Sequence, residues 1–178
     1  HKLATDAIQQ VKPLLQEKQR LDYMPNVILV VSPQGKVLAR WRFENLWGDV
    51  LTFPLLRRVV DSKMRDDDVW NFREQNERMM TAVAAPILDG AQVTGVLALL
   101  YEHSNEMALD DRRTFKTEVA YFLDGKLYGS SLHEPAQQKQ LLDFITPHSK
   151  PLADGRVAGP TPIDIGGRKY IALAAGFT

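Results

Sequence analysis

Cysteine is absent from the 178 residues, which excludes disulfide frameworks, zinc–thiolate sites, thiol nucleophiles and iron–sulfur clusters. An excess of charge is missing too: 22 Lys plus Arg balance 22 Asp plus Glu. No basic stripe is available to neutralise phosphates, so no nucleic-acid partner is expected. Long apolar runs are lacking. The longest, Val93 to Tyr101, is broken by Thr94 and Gly95 and is about half the roughly 20 residues of a spanning helix. No signal-peptide pattern is visible. G-x-S-x-G, H-E-x-x-H, G-x-x-x-x-G-K-[ST] and G-x-G-x-x-G are all missing, so neither enzymatic activity nor a cofactor is expected.

What remains is an ordinary globular composition, 44% apolar and 25% charged. It is enough for one domain or two small ones with a real core. The chain starts at His1 and stops at Ala174-Ala175-Gly176-Phe177-Thr178, which reads as a strand end and suggests a piece of a longer protein. The lack of cysteine fits an extracytoplasmic setting.

Residues 3–22 carry apolar side chains at Ala7, Ile8, Val11, Leu14, Leu15 and Leu21, near a helical period. Pro13 predicts a kink or restart there. Asn26 to Ser32 is β-branched and apolar and reads as a buried strand, followed by a Pro-Gln-Gly turn and an alternating strand over 36–43. A helical pattern covers 51–64, with a short strand at 68–73. A hairpin over 81–88 and 93–102 turns at Asp89-Gly90, and a helix over 105–116 follows. The order then restarts: strands 118–123 and 126–132 around Asp124-Gly125, a helix over 134–145, and strands 156–165 and 168–177 around Gly166-Gly167. VILVVSPQGKVLAR (27–40) aligns with VAYFLDGKLYGSS (119–131), and TAVAAPILDGAQVTGVLALLYE (81–102) with VAGPTPIDIGGRKYIALAAGFT (157–178). Hairpin, helix and hairpin thus occur twice.

A long helix leading into VILVVSPQGKVLARW resembles the opening of bacterial extracytoplasmic Cache (PAS-like) sensor domains. AAPILDGAQVTGVLALLYE resembles the last two strands of such a module, and EVAYFLDGKLYGSSL the start of a second. The resemblance covers the whole chain as a pattern. It implies an α+β fold: an N-terminal helix (1–25), a first PAS-like module with an antiparallel sheet (26–103) and a second, smaller one (104–178). One sheet face would lie under the helix and the other under a loop-and-helix lid. The amino-acid signature of double Cache domains has only scattered counterparts here, at Arg40, Trp41, Arg42, Trp47, Asp49 and Tyr101.

The segment 40–58 places two Trp, two Phe, Asp49 and four Arg within nineteen residues. Aromatic walls with a few fixed charges suit a small polar solute, a carboxylate or an amine. The candidate ligand-binding residues are Trp41, Arg42, Trp47, Asp49, Trp70, Arg73 and Tyr101. Tyr101 has the parity of Val93, Gly95, Leu97 and Leu99. The competing reading keeps Trp41 and Phe43 as core, Trp47 as a plug and the arginines as surface. Asp66-Asp67-Asp68 fails the calcium-loop test, because Trp70 and Asn71 fall where an oxygen ligand and a glycine are needed; a solvated loop is expected. Glu102-His103 reads as a strand end reaching solvent, Ser130-Ser131 as hairpin-end polarity, and no metal site is expected.

The expected function is that of a periplasmic ligand-sensing input domain of a transmembrane histidine kinase, nucleotide cyclase or chemoreceptor. It would be homodimeric through the N-terminal helix, whose Ala7, Leu14 and Leu21 are spaced by seven, and would meet the membrane only through flanking segments. The alternatives are a cytosolic GAF- or PAS-type regulatory domain and a ligand-free module that transmits signal or holds a dimer.

Overall fold

The computed structural model describes residues 2–17, 24–42, 46–72, 77–148 and 157–176. It is α+β, with antiparallel sheets throughout the described residues. The chain divides into two compact units, 1–70 with 80–102 and 71–79 with 103–178.

The first unit is built on a five-stranded sheet in the order β2-β1-β5-β4-β3. Its strands are β1 (Val27–Val31), β2 (Val37–Trp41), β3 (Asp66–Phe72), β4 (Arg78–Asp89) and β5 (Gln92–Glu102). All five residues of β1 are buried. A strand covered on both faces reads as an unbroken apolar run. Antiparallel pairing to β2 sets Leu29 opposite Arg40, and pairing to β5 sets Val27 opposite Leu100 and Val31 opposite Val96.

Helix α1 (Lys2–Glu17) packs on β2 and β1. Ile8 meets Ile28, Val30 and Ala39, flanked by Ala4, Trp41, Leu97 and Leu99. Pro13 lies inside α1 without ending it. Both Pro13 and Leu14 are exposed, so the missing N–H falls on the half of the helix that tolerates it best. Leu21 and Phe43 lie outside the described residues. The opposite sheet face carries Leu29, Val31, Val37, Val96, Ala98 and Leu100, all buried. The segment from Leu46 to Ser62 contributes buried Leu51, Leu55, Leu56 and Val59 to the unit, and its helix α2 (Pro54–Ser62) packs on β5. This segment is the lid. Pro54 sits in the first turn of α2, where its missing N–H costs nothing.

The lid begins as a sixth strand-like edge. Val37 N donates to Asp49 O at 2.8 Å, Gly48 N to Val37 O at 2.9 Å and Leu51 N to Gly35 O at 2.9 Å. Gly35 has φ 87°, and a Cβ there would stand 2.4 Å from Leu51 O. Only glycine satisfies both conditions.

Asp66, Asp67 and Asp68 form the start of β3, not a solvated loop. Arg58 of α2 holds them in place. Its Nε donates to Asp66 at 2.6 Å and its Nη2 to Asp68 at 3.2 Å, and this guanidinium keeps the Asp66 carboxyl below its ordinary range. A cation paired with two of the three carboxylates, and hydrogen-bonded to the backbone carbonyl of the third residue, offsets part of the repulsion that a sequence reading assigns to them.

The second unit contains α3 (Asn105–Phe115), β6 (Ala120–Leu123), β7 (Lys126–Ser130), α4 (Pro135–Ile145), β8 (Ala158–Ile165) and β9 (Arg168–Ala174). Ser104 caps α3, its Oγ accepting from Met107 N at 3.3 Å. Gly129 lets β7 approach the start of α3, since a Cβ there would lie 2.5 Å from Ser104 O. Helix α4 packs on β7 and β8, and Gly166 N donates to Gln140 Oε1 at 2.9 Å. Helix, hairpin, helix and hairpin follow one another here as well, but β3 has no counterpart and the sheet does not repeat. Among the described residues β6-β7 and β8-β9 form separate two-stranded sheets, whereas β1 and β5 join the two hairpins of the first unit.

Replacing Gly35 with alanine is expected to destabilise the first unit by about 2 kcal/mol or more, from a strained φ combined with a backbone clash. Urea unfolding of the Gly35→Ala variant, compared with Gly90→Ala in an open turn, checks this.

Candidate functional site

The sheet of the first unit divides the sequence-nominated residues between its two faces. Trp41 is opposite Ile28 in register and packs into the α1 cluster. Tyr101 has the parity of Leu97 and Leu99, which meet the same cluster; burial pushes its hydroxyl pKa up. Both therefore belong to the α1 side. Asp49 and Trp70 belong to the lid side. Trp70 is buried and stacked on Phe53 at 4.1 Å, with an interplanar angle of 7°. Trp47 is 54% exposed on the lid. Arg42 has φ 73° and sets its guanidinium 4.9 Å from the Trp41 ring centre. Arg73 lies outside the described residues. The structure thus brings Trp41 and Arg42 together, and separates them by the thickness of the sheet from Asp49 and Trp70.

The residue that organises the lid side is Arg40, which the sequence reading placed in the pocket segment without naming it a ligand-binding residue. Arg40 lies in the row Arg40–Leu29–Ala98–Ala84 across the sheet. Its side chain is 4% exposed, and its Nη2 donates to Asp49 Oδ2 at 2.7 Å. Its Nε has no hydrogen-bond partner among the described residues. Asp49, one-third exposed, is positioned because its carbonyl is zipped to Val37. A buried guanidinium held by one partly solvated carboxylate is a site for an anion or for the lid's own anchor. The signal for it was available: Asp49 follows Arg40 within the same aromatic segment, and β2 alternates Arg40 against Ala39 and Trp41.

An open depression lined by Val60, Lys63, Ala91, Gln92 and Val93 lies at the far end of α2. Lys63 Nζ donates there to Ala91 O at 2.8 Å. The charge serves as a tether, and the surface is too shallow to enclose a solute.

The second unit holds a separate polar cluster. His103 is buried, with its ring 4.5 Å from that of Tyr121, instead of reaching solvent as a strand end would. The Tyr121 hydroxyl donates to Asp111. Burial pushes the His103 pKa down, partly offset by the Asp111 carboxylate. Ser130 and Ser131 are buried as well. Ser131 Oγ donates to Glu118 at 2.6 Å and accepts from Val119 N at 2.9 Å; Ser130 Oγ accepts from Leu132 N at 3.0 Å. Both hydroxyls are committed to the backbone, which suits a fastening and not a nucleophile. Among the described residues no group of His, Asp and Glu is arranged to hold a metal ion, and no helix is long and apolar enough to cross a membrane.

No family model and no curated protein matches the chain. Solved structures do. An extracellular ligand binding receptor from Desulfohalobium retbaense superposes over 88% of this chain with a TM-score of 0.52 at 8% identity. The match spans 29% of that receptor's length. A sensory box sensor histidine kinase from Vibrio cholerae matches 55% of this chain and 95% of its own, with a TM-score of 0.36 at 11% identity. The chain is similar in fold to the matched part of the receptor.

Two outcomes follow from the buried charges. Asp49→Ala leaves a buried guanidinium without its anion and is expected to cost about 3 kcal/mol, whereas Arg40→Met leaves Asp49 free to reach water and costs about 1 kcal/mol. Denaturant unfolding of both variants checks the asymmetry. In the second unit the native His103 pKa lies below the ordinary 6.5, so the unfolded chain takes up the proton first. The stability that neutral His103 contributes is complete above 6.5. It falls as pH drops from there through the lowered native value, and levels off below it. Thermal melts across this window are expected to flatten in His103→Gln.

Proposed function

We propose that this chain is the ligand-sensing domain of a bacterial transmembrane signalling protein, a histidine kinase, nucleotide cyclase or chemoreceptor. It lies outside the cytoplasmic membrane, has no chemistry of its own, and is built as a Cache-like pair of PAS-like modules. The observation that carries this reading is the first unit: one antiparallel sheet with α1 on one face and, at the edge of the lid, a buried guanidinium held by a single carboxylate. The neighbouring receptor's name, an extracellular ligand binding receptor, points the same way.

The solute sits under the lid of the first module. A carboxylate would compete with Asp49 for Arg40, and an amine would compete with Arg40 for Asp49. Either exchange releases the lid edge from β2. A ligand shifts the balance between lid positions only by its differential affinity for them. The domain works as a homodimer through α1, whose Leu14 is 58% exposed and available to a second copy.

A second reading is favoured by one observation. Trp70 on Phe53, with Leu51, Leu55, Leu56 and Val59, supplies the lid side with the protein's own side chains. A module filled in this way transmits signal or holds a dimer without a ligand.

Melting with a panel of carboxylates, amino acids, amines and purines separates the two. A solute at one hundred times its Kd adds about 2.7 kcal/mol, a rise of several degrees that Arg40→Met is expected to abolish for carboxylates. A flat response across the panel leaves the ligand-free module as the function.

A further inference from the structure

Three features meet at three consecutive residues of the first unit. Arg40 points to the lid side and is held by Asp49 at 2.7 Å. Trp41 points to the other side, where Lys12 of α1 places its Nζ 4.9 Å from the ring centre. Arg42 sets its guanidinium at 4.9 Å from the same ring and leaves the sheet with φ 73°, a conformation that costs a non-glycine residue energy. We infer that residues 40–42 are a coupling element, through which the attachment of the lid edge to β2 sets how firmly α1 is seated on the opposite face. The inference deepens the sensor reading by naming its first transmission step, and rests on that reading for its purpose.

The argument is mechanical. Adjacent residues of a strand point to opposite faces, so a shift of β2 that accommodates one side chain is imposed on the other. β2 is an outer strand of the hydrogen-bonded sheet; its residues 39–41 keep regular register with β1, and the register break between Val30 and Val31 lies at the start of the strand. The backbone zip from Asp49 to Val37 holds the start of β2, and the Asp49 carboxylate on Arg40 extends that hold toward its end. Trp41 then presents its ring to Lys12 as a cation–π partner. If Asp49 lets go, the zip loses its side-chain anchor, the strained Arg42 backbone can relax, and the Trp41 ring turns away from α1. Energetic coupling between two sites is reciprocal, so loosening α1 must in turn loosen the lid edge.

The test needs no ligand, so its outcome is independent of whether the solute panel shifts melting. Hydrogen exchange and fluorine NMR of 5-fluorotryptophan protein are compared in wild type, Asp49→Asn and Lys12→Met. In Asp49→Asn the Trp41 resonance is expected to move, and the α1 amides around Ile8 to exchange about threefold faster or more. In Lys12→Met, a change at a partly exposed side chain that leaves the lid untouched, the Val37 and Gly48 amides at the lid edge are expected to exchange faster. Changes confined to residues 46–51 in Asp49→Asn, or to α1 and Trp41 in Lys12→Met, would overturn the coupling and leave Trp41 as a helix seal. If Asp49→Asn does not fold, the Lys12→Met arm decides alone.

Discussion

Hydrogen bonding of β1 to β5 sets Val27 opposite Leu100 and Val31 opposite Val96, bringing the ends of the first unit's sequence together in the middle of its sheet. Everything between them is thereby held as a loop closed on one sheet. The opening hairpin adds β2 on one side and the closing hairpin adds β4 on the other. The lid has to return across the face left open by α1. A loop closed over this length costs chain entropy, and the fully buried run of β1 offsets it, since each Val, Leu or Ile taken out of water contributes roughly 1.5–3 kcal/mol. The second unit lacks this constraint among its described residues. Its two hairpins form separate sheets, held through helices α3 and α4 instead.

Charge is used in three ways, and its surroundings decide which. Arg58 and the three aspartates of β3 are exposed, so their pairing sets register at the sheet edge and contributes little stability. Arg40 and Asp49 straddle the boundary between core and water, where breaking the pair is costly on one side and cheap on the other. His103 is buried against Tyr121, and that burial lowers its pKa, partly offset by the Asp111 carboxylate.

The sheet has two unlike coverings. On its lid side stands a buried guanidinium whose partner is a carboxylate of the same chain. Its other face carries α1, and Trp41 packs into that cluster. The likeness to part of an extracellular receptor concerns the fold. The proposal for function stands on these residues.

Local pattern was enough to locate most elements. The apolar run Val27–Val31, the Asp89-Gly90 and Asp124-Gly125 turns and the Leu55, Leu56, Val59 face of α2 each carry their period within a few residues. The halves of the candidate site were legible as a composition, since aromatic and charged residues crowd 40–58. Their division was not. Whether Trp41 and Asp49 share a side depends on which sheet face each covering element takes, a decision made by pairing between strands far apart in sequence. For the same reason the burial of Arg40 was not legible: a strand's alternation tells which residues share a face, not that both faces are buried. Asp66–Asp68 read as a loop because the arginine that neutralises them lies on another element. The sequence by itself determined most of the elements, their order and the absence of thiol chemistry, because propensity and composition are local quantities. The tertiary structure alone decided which charges are buried, which face each aromatic serves and that, among the described residues, the first unit closes into one sheet while the hairpins of the second stay apart, because burial and pairing exist only once distant segments meet.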